Sequence, residues 1–463
     1  MADERRDDAP SGGAAAQVTP RAAAPSRRAV GLVIVVAALG YFVDIFDLLL
    51  FALVRRTSLT EILGPSLEGK SAVEVDKILS ESGVLLDNIL QTTGLLVGGL
   101  VWGIIADRRG RLSVLFGSIL CYSLANLLNA AVMDVDPNGP LGFMHAIGLG
   151  SAFNQYGVLR FIAGFGLAGE LGAGITLVAE IMPKEKRGIG TTIVATVGLC
   201  GAVAAGLVGE ALLARFPENG WRFAYALGGG MGLALLVLRV GVLESGLFAN
   251  LRHREVARGD LRMLVHPPER LWRFLRVILV GMPIWFAGGV LFVFAPEIGK
   301  ALGLAELPTG GKTILFAYVG VVLGDLASGL LSQRFRSRKK VLAVFLVLYA
   351  GAIVALLTLG GRSLGTFYGI LCVLGATTGY WVIFVTTASE QFGTNLRATV
   401  TTSAPNFVRA TAIPVTAVWF AAKPALGTIP ATIAVGLGCV AIGLACLVGM
   451  RESFDLDLDY VER

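Results

Sequence analysis

Charge is what this chain has least of. Only 16% of its 463 residues are Asp, Glu, Lys or Arg, while 55% are hydrophobic. Soluble globular chains carry about 25% charged residues, so an ordinary soluble domain is excluded. Histidine is nearly missing, with three copies. The five cysteines (Cys121, Cys200, Cys372, Cys439, Cys446) lie in or beside apolar runs without metal-ligand spacing, so neither a disulfide framework nor a metal site is expected. There is no phosphate-binding glycine loop, no nucleophile motif and no catalytic constellation, and therefore no enzyme is expected. Residues 1–29 lack the apolar core of a signal peptide. They are polar and rich in Ala and Pro, and are expected to stay on the protein as a disordered cytoplasmic tail.

What the chain has instead is long apolar runs. Twelve are long enough to span a bilayer, near 30–54, 86–107, 112–133, 155–181, 188–214, 221–245, 274–298, 312–333, 341–359, 364–388, 398–421 and 427–449. Glycine, at 60 residues, suits close helix packing in lipid. The formal charge of +6 could suggest nucleic acid, but most of the 39 lysines and arginines fall in loops on one side of the spans. No nucleic-acid partner is expected. The clusters "RRGR" at 108–111, "RFRSRKK" at 334–340 and Arg252 to Arg276 place those loops, and both termini, in the cytoplasm. The loop at 55–85, on the other side, carries both charge signs and has room for a short surface helix.

The two halves of the chain echo each other. "AEIMPKEKRG" after span four has Glu180 seven residues before Arg187, and "SEQFGTNLRA" after span ten has Glu390 seven residues before Arg397. "GIIADRRGR" after span two corresponds to "GLLSQRFRSRKK" after span eight, and Glu244 after span six to Glu452 after span twelve. Three matched features in matched order predict an all-α membrane protein of twelve transmembrane helices, in two pseudo-symmetric six-helix bundles around a central cavity. The expected divisions are 30–245 for the first bundle, 246–273 for a cytoplasmic linker, 274–450 for the second bundle and 451–463 for a cytoplasmic tail.

From about residue 30 onward the sequence resembles the major facilitator superfamily. "GGLVWGIIADRRGR" is similar to the superfamily's loop signature at Gly103, Asp107, Arg108, Gly110 and Arg111. "RFIAGFGLAGELGAGITLVAEIMPKEKRG" is similar to the fourth-span signature of the metabolite:proton symporters and, more loosely, of the sugar porters. Arg160, Gly164, Gly169, Glu170, Glu180, Pro183, Arg187 and Gly188 carry that match. In "DIFD" Asp47 matches the symporters' first-span Asp, and Asp44 stands where they have Glu. The second loop signature departs from the pattern, with Gln333 in place of an Asp. The Gly-Pro signature of the superfamily's antiporters is missing from span five, which counts against drug export. The resemblance implies that Asp107, Arg111, Glu180, Arg187 and Glu244, with Arg338, Glu390 and Arg397 in the second half, form charge networks that hold the cytoplasmic side shut.

Charged groups inside spans are costly and usually functional. Arg160 and Glu170 stand about 15 Å apart along one helix and cannot pair. From the inner helix ends, at ~1.5 Å per residue, Glu170 lies at roughly 16 Å, Asp44 at about 21 Å, Asp47 at about 26 Å and Arg160 at about 31 Å. Depth therefore predicts an Asp47–Arg160 pair, with Asp44 and Glu170 crowding each other as proton-handling groups. The alternative is a static ion network. In the second half Arg409 is placed to anchor an anionic solute, because its fork matches a carboxylate, or else to pair with Asp325. Asn406, one turn earlier, could face the same cavity, as could the aromatics Trp285, Tyr380 and Trp381.

These readings predict a secondary transporter of a small organic solute, with a metabolite carboxylate first and a sugar or polyol second. The proton is the expected coupling ion and no other cofactor is expected. The expected setting is the plasma (inner) membrane, with the protein working as a monomer. A non-transporting receptor on the same scaffold is the reading from another class, and the absence of an appended signalling domain weighs against it.

Overall fold

A computed structural model describes residues 27–109, 111–170, 187–244 and 262–454, and these are helical with no strand among them. Span one is Arg27–Ile62. The loop after it holds the helix Ala72–Gly83. Ser71 and Glu74 begin that helix with a reciprocal capping box, which satisfies two of its open backbone donors. The chain runs on through a π-helical stretch, Val84–Gln91, into span two, Thr92–Arg109. Spans three to six are Arg111–Asn129, Ala152–Leu167, Arg187–Arg215 and Gly220–Glu244.

Span seven, Pro268–Phe286, also continues as a π-helical stretch, Ala287–Phe292, and leads to the short helix Ala295–Ala301. Spans eight and nine are Gly310–Phe335 and Arg338–Leu359. Span ten comes in two pieces, Leu364–Thr378 and Trp381–Glu390, and so does span eleven, Thr394–Ala410 and Ala412–Leu426. Span twelve is Thr428–Val448.

Among the described residues nine helices are long and apolar enough to cross a membrane. Spans three, four and eleven complete the set of twelve positions but are shorter or broken. The break in span ten has a visible cause. Gly379 lies so close to span eight that a Cβ there would sit 2.5 Å from the Asp325 backbone nitrogen. Asp325 then caps the second piece, its Oδ1 accepting from the Val382 amide at 2.9 Å. A carboxylate at a helix N-terminus also suits the helix dipole.

The packing repeats with a step of six spans. Span one packs on spans five and six, and span seven on spans eleven and twelve; spans two and three pack on span four, and spans eight and nine on span ten. Spans three and six pair as nine and twelve do. The two bundles meet where span five lies on span eight and span two on span eleven. These two contacts exchange under the same step, so the interface itself is two-fold. The internal echo in the sequence thus has a structural counterpart in two like bundles. The boundary residues 246–261 lie outside the described residues.

Candidate functional site

Between the bundles lies a small cavity walled by both. Tyr41, Ile45 and Leu48 of span one and Leu199 of span five form one side. Trp285, Gly288 and Phe292 of span seven, Tyr318 of span eight, Trp381 of span ten and Arg409 of span eleven form much of the other. Five of the lining residues are aromatic, and among the described residues Arg409 is its one charged group. A mostly apolar pocket with a few convergent polar groups is the usual form of a small-molecule site.

Arg409 is 2% exposed. Its guanidinium lies 6.0 Å from the centre of the Trp285 ring and donates to Asn406 Oδ1 at 3.3 Å. No carboxylate pairs with it among the described residues, and its Nε has no partner there. Asn406 also crosses to the first bundle, where its Nδ2 donates to the Ala168 carbonyl at 3.2 Å. One side chain thus ties the cavity's cation to the backbone of the first bundle two residues before Glu170.

Of the six residues expected around the solute, Arg409, Trp285 and Trp381 line the cavity, and Asn406 bonds to Arg409 from the next turn. Asp325 and Tyr380 do not join them. Asp325 accepts from the Val382 amide as the helix cap described above, and among the described residues no ion pair joins it to Arg409. Tyr380 is fully buried and donates to the Val280 carbonyl at 3.3 Å, where it packs rather than lines. Tyr41 and Tyr318 were not singled out from the sequence. They stand in runs with no polar period, and only their meeting in space marks them.

In the first bundle the charge pairing differs from the depth argument. Arg160 meets Asp87, not Asp47, at 3.3 Å, and lies over the Phe51 ring at 4.8 Å. Asp87 belongs to the π-helical start of span two, where an extra residue per turn changes which face a side chain presents. Glu170 meets Arg239 of span six in a two-pronged pair, with Arg239 Nη1 donating to Oε2 at 3.1 Å and Nη2 to Oε1. Both members are buried, at 1% and 6% exposure. Gly40 makes room for this pair, since a Cβ there would lie 2.0 Å from Arg239 Nη2.

Asp44 and Asp47 are each 1% exposed, and their four oxygens have no hydrogen-bonding partner among the described residues. Asp44 lies within electrostatic reach of Arg409, Glu170 and Arg239.

At the face opposite the termini, contacts join the two bundles. Arg55, 2% exposed, meets Glu297 at 2.7 Å, and Ser80 Oγ donates to the same carboxylate at 3.2 Å. Asp76 takes Arg56 at 2.9 Å and also pairs with Lys300. Asn88 donates to Thr416 at 3.0 Å, and Glu210 accepts from Thr309. The helix Ala72–Gly83 therefore does more than cover a surface, because it bolts the first bundle to the short helix Ala295–Ala301. The sequence showed the charges of this loop but not their partners in the second bundle, Glu297 and Lys300, which lie more than 200 positions away.

At the termini face Arg338 lies 3.4 Å from Glu390, and Ser453 Oγ donates to Glu390 at 2.6 Å. Glu452 sits on the start of span nine, accepting from Ser337 and from the Arg338 amide at 2.9 Å. Partial burial pushes its carboxyl up, but these hydrogen bonds outweigh that and hold it below the ordinary glutamate range. Of the remaining charge set, Gly110 and Glu180 lie outside the described residues, as do the side chains of Asp107, Arg108, Arg111, Arg187, Glu244 and Arg397. Gly103 faces open space.

Two like helical bundles around an aromatic cavity with a buried cation define a membrane carrier for small solutes. A sequence profile of the Major Facilitator Superfamily matches residues 37–416, and the chain belongs to that family. It is 30% identical over 311 residues to the inner membrane metabolite transport protein YgcS of Escherichia coli, covering 62% of this chain and 63% of that one. It is 28% identical over 324 residues to the 3-(3-hydroxy-phenyl)propionate transporter of the same species, covering 66% and 69%. The inward open structure of the E. coli xylose transporter XylE superposes with a TM-score of 0.68 at 16% identity, covering 93% of this chain and 98% of that one. This last likeness shows the fold alone. The chain is a membrane transporter of small metabolites and not an enzyme.

Proposed function

We propose that the chain is a proton-coupled symporter for a small, flat, preferably aromatic carboxylate. The observation that carries this reading is the cavity's composition: one buried guanidinium without a carboxylate partner among the described residues, set among Tyr41, Trp285, Tyr318 and Trp381. An unpaired buried cation is costly, and an anionic solute would complete it with a two-pronged bond. Ring faces suit a flat solute by stacking. The similarity to a transporter named for an aryl propionate supports the same solute class.

Coupling follows from Asp44. It shares the field of Arg409 with the solute. Two negative charges competing for one cation in a dry cavity oppose each other, so the solute anion and a proton on Asp44 favour each other's binding. Asp47 and the Glu170–Arg239 pair extend the charge system into the first bundle. The bundles then rock about the bound solute, and no cofactor beyond the proton takes part. The plasma membrane, cytoplasmic termini and a monomeric carrier belong to the same proposal.

The test is uptake into liposomes containing the purified protein, with benzoate, a phenylpropionate, a short aliphatic acid and a hexose, each with and without an imposed pH gradient. Accumulation of an aromatic acid driven by the pH gradient is expected. Accumulation of the hexose alone would overturn the carboxylate reading, and accumulation indifferent to the pH gradient would overturn proton coupling.

A further inference from the structure

Span six carries the run "LGGGMG", with Gly228 and Gly232 one turn apart. A Cβ on Gly228 would lie 2.1 Å from Asp47 Oδ1, and one on Gly232 would lie 2.0 Å from Ser123 Oγ. The space these glycines leave is taken first by a carboxylate and a hydroxyl, with Leu50 and the Tyr122 ring beside them. Span three lines the same space. Tyr122, Asn126 and Asn129 recur at steps of four and three, so they share one helix face. Each is at most 1% exposed, and Ser123 is fully buried. The Asn126 amide reaches toward Asp47 without the distance and angle of a full hydrogen bond.

The polar atoms here are open. The Tyr122 and Ser123 hydroxyls, both polar atoms of Asn126 and of Asn129, and both Asp47 oxygens have no hydrogen-bonding partner among the described residues. Buried polar groups are almost always satisfied, by protein or by ordered water. A buried cluster of several open donors and acceptors is where ordered waters are called for, each making two to four bonds.

The column has two ends. At one, Asn129 closes span three, and the carbonyls just beyond it, Ala130 and Val132, accept from Arg222 at 3.0 and 2.9 Å. Arg222 pairs with Glu61, which is 40% exposed on the face opposite the termini. At the other end, Tyr122 looks onto Asp44, Asp47, Glu170 and Arg239. The charged and titratable groups facing Asp47 are Asp44 on its own helix, Arg160 from span four, and Tyr225 and Tyr122 from spans six and three.

We propose that ordered waters thread Asn129, Asn126, Asp47, Ser123 and Tyr122, and that this column brings protons to Asp47 inside the first bundle, apart from the solute cavity. It rests on the proton-coupled reading above. The contacts at the far face latch the two bundles to each other, whereas the column lies within one bundle. Proton and solute would thus reach the charge system by separate routes.

Two measurements test this. The first is radiolytic hydroxyl labelling of the wild-type protein in liposomes, read at Tyr122 by mass spectrometry. A fully buried tyrosine in dry packing labels hardly at all; here labelling within about threefold of a surface tyrosine is expected. The second is solute-driven proton influx, measured with an internal pH dye alongside labelled solute. Asn126→Leu is expected to lower the proton-to-solute ratio at least fivefold, and Ser123→Ala, which deletes only a hydroxyl, to lower it about twofold should the larger change prevent folding. Unlabelled Tyr122 with coupling intact would overturn the column and leave symport standing. Labelled Tyr122 with no proton influx in the wild type would overturn symport and, with it, proton delivery. A wild-type ratio in a folded Asn126→Leu or Ser123→Ala protein would overturn delivery through the column.

Discussion

Replacing Glu170 by Gln removes one charge from a pair that is 1% and 6% exposed. Arg239 then keeps its charge in the bundle interior with neither of its two bonds to a carboxylate. Breaking a buried pair from one side costs about 3–5 kcal/mol, most of it the stranded charge. Arg239→Gln strands the carboxylate instead and should cost a similar amount. The double change strands nothing, so at least about 2 kcal/mol of the summed loss should return. For a unit of 150–250 residues each kcal/mol moves the melting temperature by about 2–4 °C. Each single variant should therefore melt roughly 6–20 °C lower, with the double variant well above the sum. The assay is thermal unfolding of the four proteins in one detergent, followed by intrinsic fluorescence and by circular dichroism. Additive losses in the double variant would refute the pairing, and with it the idea that Glu170 is held by Arg239 in the resting state.

The other expectations concern the cavity and the two faces. Arg409→Lys keeps the charge but loses the fork, and Arg409→Gln loses both; affinity for an aromatic acid should fall in that order with melting temperature nearly kept, and unchanged affinity in the second would contradict the anion anchor. Asn406→Ala removes a hydrogen bond to a charged group, about 1.5–3 kcal/mol, so solute affinity should weaken about tenfold or more; wild-type binding would show that Asn406 does not position Arg409. Glu297→Gln should raise the reactivity of a cysteine placed at Asn88, read with a membrane-impermeant thiol reagent, and unaltered reactivity would say that the latch does not hold that face closed. Because the Glu452 carboxyl is held below its ordinary value, its stabilising effect is full above the unfolded value, near 4.5, and is lost as pH falls through the folded one; Glu452→Gln should thus lower stability at pH 7 and narrow the gap to wild type at pH 3–4.

The buried charges themselves were legible because a carboxylate or guanidinium in an apolar run stands out at any span. Their partners were not. Depth along a helix fixes the level of Arg160 and Asp47, but pairing also needs the direction each side chain takes around its helix, and the π-helical start of span two gives that direction to Asp87. Arg239 also stands inside an apolar run, yet nothing in "VLRVGVLE" points to Glu170. Asp325 looked like a cavity carboxylate because the break after Gly379 could not be placed from an apolar run, and without that break there is no helix end to cap. The repeat, by contrast, lay in short charged loops, where each residue type is rare enough for spacing to carry information.

The latch at the far face has a further consequence. It comes in two layers: Arg55 with Glu297 beneath, and Lys300 with Asp76 at the rim, where Lys300 is 56% exposed and Arg55 only 2%. Mobile ions reach the outer layer first. The Debye length shrinks from about 30 Å at 0.01 M salt to about 3 Å at 1 M. The rim pair loses its pull over that range while the buried pair keeps most of its own. High salt at that face should therefore weaken the rim contact between the bundles and leave the buried one, so that transport rates compared in dilute and in concentrated salt should differ without any change in the solute site.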